Sequence, residues 1–382
     1  MQRRQFIRQS TKIGLAVAGA NAGLVGCAGS IQEKPNTNIS KNNPYGYFPV
    51  KASMDRVINT VVGLRPFRTT GYRLEAEQLG DTFIVHNYGH GGGGISLSWG
   101  TSRQAADMVL QQKPKSVAVL GAGVMGLTTA LILARKGMSV TVYSDKFLPN
   151  TTSNIAAALW LPTSYYDKSE VSDAFLAADK NISREAFKGF LPYTNRPDYG
   201  VYWNRYHLVL QNKPEQPVQL PGGNDLYPEL KETTTDTLFG MPFDRSCQGL
   251  IIDPNFYLEE IKNDALIAGV KFVPKKFDSQ TDILALAEKT VVNCTGLGAK
   301  TLFNDEKLMP LQGQLTHLLP QPEINYSYVV PTDTGFLYMF PRKGAIVLGG
   351  TTIRGAYSTV PDMELAKQMI AGHKNLAERL VS

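Results

Sequence analysis

The chain has 382 residues, of which 43% are hydrophobic and 19% are charged. This length can bury a sizeable core in one large domain or two intimate ones, and the composition excludes wholesale disorder. The formal net charge is +6, but four of these charges come from basic residues within the first twelve positions. The remaining charge is too small to indicate a nucleic-acid partner.

The first 27 residues have the pattern of an export signal. Arg3 and Arg4 open a basic stretch, and the apolar run that follows (13–26) is too short to span a bilayer as a helix. RRQFIR resembles a twin-arginine signal, which exports folded proteins, and LVGC resembles a lipobox, in which Cys27 is acylated. We therefore expect an exported protein, lipid-anchored on the periplasmic side of a bacterial membrane. The alternatives are a plain cleaved signal and a basic tail.

The segment after the signal, residues 28–51, is rich in Asn, Ser, Lys, Pro and Gly. This composition predicts a flexible tether between the lipid and the folded body. Beyond Cys27 only Cys247 and Cys294 remain, which is too few for a disulfide framework, although one bridge is allowed in an oxidising compartment. We expect both to be free thiols in the core.

A glycine-rich turn separates two short apolar runs. SVAVL (116–120) and SVTVY (139–143) predict buried parallel strands, and LTTALILARKG between them predicts a helix that ends at Gly137. The turn itself is GAGVMG, and Asp145 follows 19 residues after its last glycine. Strand, glycine turn, helix, strand and acid in this order predict a dinucleotide-binding unit, without distinguishing FAD from NAD.

Each residue type in this unit has a physical reason. Gly121 permits the tight turn, Gly123 lets the backbone approach a pyrophosphate, and Gly126 lets the helix pack closely on the strand. The N-terminus of the helix attracts the phosphate charge, and the Asp145 carboxylate would accept hydrogen bonds from a ribose.

The next segment, TTSNIAAALWLP (151–162), resembles the D-amino-acid oxidase and D-aspartate oxidase family, which has a Thr/Ser-rich loop, small residues and Trp-x-Pro here. GLIIDPNFYLEEI, GVKFVPKKF, VVNCTGLGAK, PLQGQL and FLYMFPRKGAIVLGGT extend the resemblance over most of 55–382. The resemblance implies an α/β fold, in which a Rossmann-like FAD-binding domain with a doubly wound parallel sheet is interleaved with an antiparallel-sheet substrate domain. In this family GVKFVPKKF forms an inner strand near the adenine.

Two blocks of this family stand in an unusual order. VGLRPFRTTGYRLE (62–75) and IVHNYGHGGGGISLSWG (84–100) normally follow the LGG segment, but here they precede the glycine turn. Each block occurs once, so we expect a circular permutation with new ends near Ala52 and Ser382, and with 101–113 as the helix that leads into the first strand. The alternative is an unrelated leader with chance similarity.

The expected segments follow from this order. They are a signal (1–27), a tether (28–51), an FAD-binding domain (52–162, composed of the permuted block 52–113 and the dinucleotide-binding unit 114–162), a first substrate-domain part (163–268), a continued FAD-binding domain (269–310), a second substrate-domain part (311–350) and a C-terminal helical segment that returns to the FAD-binding domain (351–382).

The resemblance also assigns catalytic roles. Arg65 occupies the position of a bidentate partner for a substrate carboxylate, with Arg68 as a nearby competitor, and Tyr338 matches a tyrosine whose hydroxyl meets the same carboxylate. Gly91 and Gly92 would bring backbone against the flavin ring and the substrate amine, which makes Gly92 part of the catalytic site.

The cofactor residues implied by the resemblance, beyond Gly121, Gly123, Gly126 and Asp145, come from six stretches of the chain. Ser96 matches a threonine near the pyrimidine edge of the flavin, where a donor would stabilise negative charge. The others are Val124, Met125, Lys146, Thr151, Thr152, Ser153, Ala157, Ala158, Leu159, Trp160, Phe277, Cys294, Thr295, Gly296, Gly91, Gly92, Gly94 and Ile95.

Several positions depart from the family pattern. Thr334 stands where mammalian members have a lid tyrosine, and Tyr326 or Tyr328 could substitute for it. Thr163 replaces a histidine of D-aspartate oxidases, which argues weakly against an acidic substrate. Arg342 and Arg354 could still reach a side-chain carboxylate, so this question stays open. His86 and His90 are expected to be structural, and the five histidines lack metal-ligand spacing.

The resemblance implies an FAD-dependent oxidase of D-amino acids, which moves hydride from the α-carbon to flavin N5 and produces an imino acid, then a 2-oxo acid, with peroxide formed from oxygen. Three alternatives remain open. The first is an oxidase of glycine or another amine, and the second is a dehydrogenase that uses a quinone or carrier. The third is a non-catalytic FAD-binding lipoprotein.

Overall fold

The computed structural model describes residues 41–157, 159–216, 219–332 and 335–382. The expected signal, Cys27 and Ala158 lie outside this part of the chain. Within the described residues no helix is both long and apolar enough to cross a membrane.

The described residues form two sheets and seven α-helices. The strands are β1 (Val57–Arg68), β2 (Arg73–Leu79), β3 (Thr82–Tyr88), β4 (Ser116–Leu120), β5 (Ser139–Ser144), β6 (Val201–Leu210), β7 (Lys231–Thr233), β8 (Phe243–Ile252), β9 (Lys271–Pro274), β10 (Thr290–Asn293), β11 (Leu308–Leu318), β12 (Tyr326–Thr332), β13 (Gly335–Arg342), β14 (Ala345–Gly349) and β15 (Ile353–Arg354). The helices are α1 (Gly94–Gln111), α2 (Val124–Arg135), α3 (Asp173–Phe190), α4 (Pro254–Ile267), α5 (Gln280–Leu284), α6 (Ala299–Leu302) and α7 (Met363–Val381).

The six-stranded sheet has the order β2-β3-β10-β4-β5-β9 and is parallel except for the edge strand β2. Alternate residues of β4 point to opposite faces, as a strand requires. Val117 and Val119 pack with α1, α2 and α4, whereas Ala118 and Leu120 pack with Ile283 of α5. Helices therefore cover both faces, as the doubly wound fold requires.

The nine-stranded sheet has the order β1-β11-β14-β13-β12-β6-β8-β7, with β15 paired to β11. All its neighbouring strands are antiparallel except the parallel pair β12 and β6. The expected antiparallel-sheet substrate domain is therefore present, and the chain enters it three times.

Three elements belong to a different part of the fold from the one expected. β1 pairs with β11 in the nine-stranded sheet, although 52–113 was expected in the FAD-binding domain. α4 packs on α2 of the FAD-binding domain, and α7 packs on β13 and β14 instead of returning to the parallel sheet. β9, expected to be an inner strand, is an edge strand. An amphipathic pattern shows which face is apolar but not which surface covers it.

The end of the expected tether is docked on the folded body. Asn43 and Val50 are buried, and the ring of Tyr47 stacks on Tyr326 with 4.1 Å between centroids. The Tyr47 hydroxyl lies 3.2 Å from His207 Nε2. The tether interpretation is therefore wrong for residues 41–51. The aromatic residues of NPYGYFPV indicate a docked segment, but the polar composition of the whole stretch 28–51 concealed this signal.

The two ends of the described chain meet. The Asn42 side-chain amide donates to the Ser382 hydroxyl at 3.2 Å, and Asn42 also packs against Gly240, where a Cβ atom would lie 2.1 Å from its side-chain oxygen. The terminus of α7 and the start of the described chain therefore share one surface.

The docked segment predicts a local stability effect. Tyr47→Ala should lower the free energy of unfolding by about 2–3 kcal/mol, because it removes a stacked ring and a hydrogen bond. Phe48→Ala is the matched control, since the Phe48 side chain is 45% exposed, and should change it by about 0.5 kcal/mol or less. Urea denaturation measures both, and equal losses would contradict docking through Tyr47.

Candidate active site

The glycine turn is held between two strands. Gly121 has a φ of +100°, and a Cβ atom there would lie 2.5 Å from the Cys294 carbonyl oxygen. A Cβ atom at Gly126 would lie 1.9 Å from the Gly121 carbonyl oxygen. The chain itself therefore requires glycine at both positions, one for the turn and one for the close approach of α2.

The N-cap residue of α2 has no side chain that could accept a hydrogen bond from the first turn of the helix. Gly123 is the N-cap and has no side chain to accept a hydrogen bond; instead Ser153 Oγ accepts from the Val124 backbone N–H at 3.0 Å. The loop that contains Ser153 thus lies against the helix start. This cradle fits the pyrophosphate of a dinucleotide, because helix N–H groups and glycine backbone line it.

The remaining cofactor positions lie around this cradle. Asp145 and Lys146 are exposed at the end of β5, and Phe277 packs edge-on against Tyr143 of that strand. Gly296 has a φ of +57°, and Pro66 of β1 lies 3.8 Å from the place of its Cβ atom. The loop after β10 therefore joins the glycine turn to β1.

Trp160 anchors the loop over the cradle instead of lining an open surface. Its side chain is buried, its indole N–H donates to the Ser96 carbonyl at 2.9 Å, and its backbone N–H donates to the Leu250 carbonyl at 2.8 Å. Ser96 Oγ accepts from the Leu161 N–H at 3.3 Å.

The glycines of HNYGHGGGG face another segment of the chain. A Cβ atom at Gly91 would lie 2.3 Å from the Ser164 carbonyl oxygen, and one at Gly92 would lie 3.0 Å from the Thr163 carbonyl oxygen. The Gly92 N–H also donates to the Ser164 carbonyl at 2.9 Å. The steric demand for glycine, which the sequence analysis assigned to the flavin and the substrate, therefore comes from the backbone of 163–165.

Arg65 and Tyr338 lie on one face of the nine-stranded sheet. Opposite residues in an antiparallel pair share a face, and every second residue of a strand returns to it. Tyr338 pairs with Gly349, which pairs with Leu315, and Arg65 pairs with Leu311 of the same strand as Leu315. The two expected substrate residues therefore lie on the same sheet face, across β11 and β14, although 272 residues lie between them in the sequence.

This shared face has a floor of three glycines that the sequence analysis missed. A Cβ atom at Gly349 would lie 2.3 Å from the Tyr338 ring, and one at Gly313 would lie 2.9 Å from Arg65 Nη2. The third, Gly63, lies under Ile155 of the cradle loop, with 3.0 Å to the place of its Cβ atom. An isolated glycine within a strand pattern signals such a close approach.

The Arg65 guanidinium is held by neutral oxygens. Nε donates to the Leu311 carbonyl at 3.0 Å, and Nη2 lies 3.2 Å from each of three acceptors on Gln312, Thr351 and Thr352. Among the described residues no carboxylate forms an ion pair with it, and burial lowers the pKa of this guanidinium. Its charge is therefore oriented but lacks a counterion.

Two cationic side chains act on the pKa of the Tyr338 hydroxyl. Burial raises the pKa of its hydroxyl, while the charges of Arg65 and Arg342 act in the opposite direction. The hydroxyl therefore stays protonated at neutral pH and can donate a hydrogen bond. It lies within the electrostatic reach of both guanidinium groups.

Arg68 and Arg354, two other arginines considered as partners for a substrate carboxylate, already pair with acidic side chains. Arg68 Nε donates to Asp305 at 2.8 Å, and Arg354 forms two hydrogen bonds to Asp167 at 2.5 and 2.8 Å. Arg65, which has no such carboxylate partner among the described residues, therefore stays the predicted carboxylate partner.

Tyr326 and Tyr328 do not substitute for the lid tyrosine. Tyr328 pairs with Met339, the residue after Tyr338, and so faces the other side of the sheet. There its hydroxyl lies 2.7 Å from His373 Nδ1, and Tyr326 stacks on the docked N-terminal segment. Both are core residues under α7.

His86 and His90 have structural surroundings. His86 Nδ1 lies 3.1 Å from the Asn293 side-chain amide, and His90 Nε2 lies 3.2 Å from Thr101 Oγ1. Burial lowers the pKa of His86 to about 4 and that of His90 to about 3, so both are neutral at pH 7. Cys247 and Cys294 are free and buried, as expected. Within the described ranges no cluster of His, Cys, Asp and Glu could hold a metal ion.

The family model for FAD-dependent oxidoreductases described as DAO matches residues 116–380. The chain belongs to this family. Its cofactor is FAD, and the cradle of Gly121, Gly123, Gly126 and Ser153 with the loop 294–296 would hold it. The matched range starts at β4, so β1, β2, β3 and α1 lie outside it.

Curated relatives agree with this membership, and a solved structure shows the same fold. The chain is 27% identical to human D-aspartate oxidase over 263 residues, which cover 67% of this chain and 74% of that protein. It is 29% identical to D-amino-acid oxidase of Streptomyces coelicolor, over 68% of this chain and 77% of that protein. A glycine oxidase structure from Bacillus cereus has a TM-score of 0.51 at 15% identity, covering 68% of this chain and 77% of its own. The structural likeness confirms the fold.

The glycine turn generates a prediction for FAD binding. Gly121→Ala should lower the FAD content of the purified protein severalfold, because the new Cβ atom would push the loop 294–296 away from the cradle. Gly137→Ala is the control: Gly137 also has a positive φ of +85°, but nothing lies within 4 Å of its Cβ position. Gly137→Ala should lower the free energy of unfolding by about 1 kcal/mol and should leave the FAD content unchanged. The ratio of flavin to protein absorbance measures the outcome, and equal FAD loss in both variants would contradict it.

The glycine floor generates a second prediction. Gly349→Ala should raise the KM for the substrate about tenfold or more, because the Tyr338 ring must leave its place. Gly344→Ala, in the turn between the same two strands, is the control, since no atom lies within 4 Å of its Cβ position. Steady-state kinetics measures both, and an unchanged KM in Gly349→Ala would show that the position of Tyr338 does not matter.

Proposed function

We propose that the protein oxidises D-amino acids at the α-carbon to imino acids, which water converts to 2-oxo acids. The observation that carries this proposal is the oriented, uncompensated Arg65 guanidinium on the same sheet face as the Tyr338 hydroxyl. A scaffold has no use for a partly buried cation without a counterion, since such a charge costs free energy unless a ligand neutralises it.

Arg65 and Tyr338 would bind the substrate carboxylate together. The guanidinium supplies charge and directed N–H donors, and the protonated tyrosine supplies one O–H donor. Two donors on different strands define the orientation of a carboxylate, and with it the direction of the α-hydrogen. When bound, FAD supplies the hydride acceptor.

His86 and His90 do not provide a charged base. His86 and His90 are buried, neutral and engaged with Asn293 and Thr101, as described above. A neutral amine needs no base, because its nitrogen lone pair assists loss of the α-hydrogen as hydride. The role of the chain is therefore to bind, orient and exclude water.

The names of the relatives support D-amino acids as the substrates, since the two curated relatives compared above are named as oxidases of D-amino acids. The glycine oxidase structure supports only the fold. Oxygen is the proposed acceptor, with peroxide as the product.

The chain order is proposed to be a circular permutation of the family fold. Support comes from β1, which lies beside β11, from β3, which lies beside β10, and from the contact between Asn42 and Ser382. Export and lipid attachment through Cys27 are proposed from the sequence pattern alone. A mass spectrum of the mature N-terminus tests the attachment.

Anaerobic titration tests the proposed function. The yellow protein should bleach with at least one of D-alanine, D-glutamine or D-glutamate, and in air the same substrate should yield one peroxide per turnover. Bleaching without peroxide would indicate a dehydrogenase, and bleaching by glycine or L-amino acids alone would replace the substrate class. Bleaching by no amine would contradict the proposal.

Arg65 variants test the assigned role. Arg65→Met should lower kcat/KM by about 10³-fold, or about 4 kcal/mol, because two charge-assisted hydrogen bonds are lost. Arg65→Lys should recover part of this loss, since it keeps the charge but not the fork of donors. A loss below tenfold in Arg65→Met, with FAD content unchanged, would exclude it as the carboxylate partner.

A further inference from the structure

An ion pair beside the substrate face joins two segments of the chain that are distant in sequence. Arg354 of β15 forms two hydrogen bonds to the Asp167 carboxylate, from Nη1 at 2.8 Å and from Nη2 at 2.5 Å. Two parallel hydrogen bonds define the relative orientation of a guanidinium and a carboxylate. The pair therefore fixes β15 relative to the segment that contains Asp167.

Arg354 stands in register with Arg65. Both residues pair with Leu311 of β11, one from each side, so they lie on the same face of the sheet with one strand between them. The residues just before Arg354 also hold Arg65 Nη2, through the Thr351 carbonyl and the Thr352 hydroxyl, each at 3.2 Å. A shift of β15 would therefore move the oxygens that orient the proposed carboxylate partner.

The other end of the ion pair belongs to the segment 163–167, which supports the glycines at the start of α1. The Ser164 carbonyl accepts a hydrogen bond from the Gly92 N–H at 2.9 Å. The Tyr165 ring lies 3.0 Å from the place of a Cβ atom at Gly93. The resemblance to the family implies that these glycines meet the flavin, so the segment 163–167 belongs to the cofactor side of the site.

Buried hydrogen bonds limit the freedom of this segment. The Tyr165 hydroxyl donates to the buried carboxylate of Asp179 at 2.6 Å, and the Tyr72 hydroxyl donates to the same carboxylate at 3.2 Å. The Asp167 N–H donates to the Thr69 carbonyl at 2.8 Å. A displacement of Asp167 is therefore transmitted to the backbone that supports the glycines.

Phe67 lies where the cofactor side and the substrate side meet. It follows Arg65 by two residues and shares its face of β1, and the Arg354 guanidinium lies over its ring, 4.7 Å from the centroid. The Phe67 backbone forms a β-bridge with His90, and its ring lies 3.2 Å from the place of a Cβ atom at Gly91. The bridge holds this junction from the core, and the exposed ion pair holds it from the solvent side.

We infer that the Asp167–Arg354 ion pair keeps the glycines of the cofactor side at a fixed distance from Arg65. The inference rests on the proposed function, because this distance matters only if a carboxylate held by Arg65 must present its α-hydrogen to the flavin. Asp167 and Arg354 are then positioning residues, which act without touching the substrate. A misplacement of about 1 Å lowers the rate of such a reaction about 100-fold.

The exposure of the ion pair makes it sensitive to salt. The exposed fraction is 53% for the Arg354 side chain and 25% for the Asp167 side chain. Salt screens charges in such positions, but it does not weaken the buried hydrogen bonds of Tyr165. The hydrogen bonds and the charge of Arg354 hold the pKa of the Asp167 carboxyl below its usual value, so the pair is ionised at neutral pH. The distance should therefore respond to ionic strength.

Rapid mixing of the holoenzyme with a saturating D-amino acid, the one that bleaches the flavin fastest among D-alanine, D-glutamine and D-glutamate, tests the inference. Asp167→Asn should lower the limiting rate of flavin reduction about fivefold. The dissociation constant of the substrate should change less than about twofold, because Arg65 still binds the carboxylate. An unchanged limiting rate would overturn the inference and leave the proposed function intact.

A second exposed ion pair provides the matched control. Arg184 forms two hydrogen bonds to Asp225, at 2.8 and 2.7 Å, away from the site. Asp225→Asn should leave the limiting rate unchanged, and a loss equal to that in Asp167→Asn would contradict a specific role of the pair at Asp167.

Salt and charge reversal separate positioning from a general loss of stability. Between about 0.05 and about 1 M KCl the limiting rate of the wild-type protein should fall about threefold, whereas that of Asp167→Asn should stay constant. Arg354→Asp should lower the rate about tenfold, because two carboxylates then face each other, and the added Asp167→Arg should restore it to within about threefold of the wild type. Equal salt responses, or no recovery in a folded double variant, would refute the assignment.

Hydrogen exchange provides a readout that does not depend on turnover. Asp167→Asn should raise amide exchange about threefold in both 163–167 and 351–354, and Asp225→Asn should raise it in neither. A rise in only one of the two segments would contradict a link between them. If no amine bleaches the flavin but exchange rises in both segments, the proposed reaction fails and the link stands.

Discussion

The pairing of β1 with β11 is the constraint on which the site depends. It runs without interruption from Asn59 to Arg68 and brings Arg65 beside Leu311. Because β11 also pairs with β14, and β14 with β13, this ladder connects Arg65 to Tyr338 through hydrogen-bonded neighbours. The geometry of the proposed carboxylate site thus rests on strands rather than on loops, which favours a fixed orientation of a bound carboxylate.

Close approach between neighbouring segments explains why glycine recurs around the site. Gly121 and Gly126 allow the dinucleotide turn to form against the loop after β10, and Gly91 allows the start of α1 to approach 163–165. On the substrate sheet, Gly313 and Gly349 leave room for the side chains of Arg65 and Tyr338. The same physical property, the absence of a Cβ atom, therefore serves the cofactor cradle and the substrate face.

Among the described residues, neither Arg65 nor Arg342 forms an ion pair with a carboxylate. Arg65 is held by carbonyl and hydroxyl oxygens, and Arg342 by a carbonyl, whereas Arg68 and Arg354 outside the site have carboxylate partners. Neutral acceptors orient a guanidinium and leave its charge for a ligand. The buried histidines nearby are neutral because desolvation disfavours their charged form. An anionic substrate is therefore the natural complement of this face.

The amino-acid sequence by itself determined the parts of the protein that depend on local pattern. The glycine turn with its flanking strands predicted the dinucleotide unit, and the family motifs predicted FAD, Arg65 and Tyr338. The dinucleotide unit could be predicted because turn geometry, strand length and phosphate binding depend on residues that are close in the chain, whereas FAD, Arg65 and Tyr338 came from the resemblance to the family. The helices at 101–113 and near the C-terminus also followed from their periodicity, although α1 begins earlier, at Gly94.

Only the tertiary structure decided which surfaces meet. The periodicity of β1, α4 and α7 could not show which sheet or helix each would cover. The composition of 41–51 suggested a tether, but stacking on Tyr326 holds it on the body. The alternation of side chains along a strand placed Tyr328 under α7 and Arg342 on the same face as Tyr338. These outcomes depend on strand register and on packing between distant segments, which a single sequence does not encode in any local pattern.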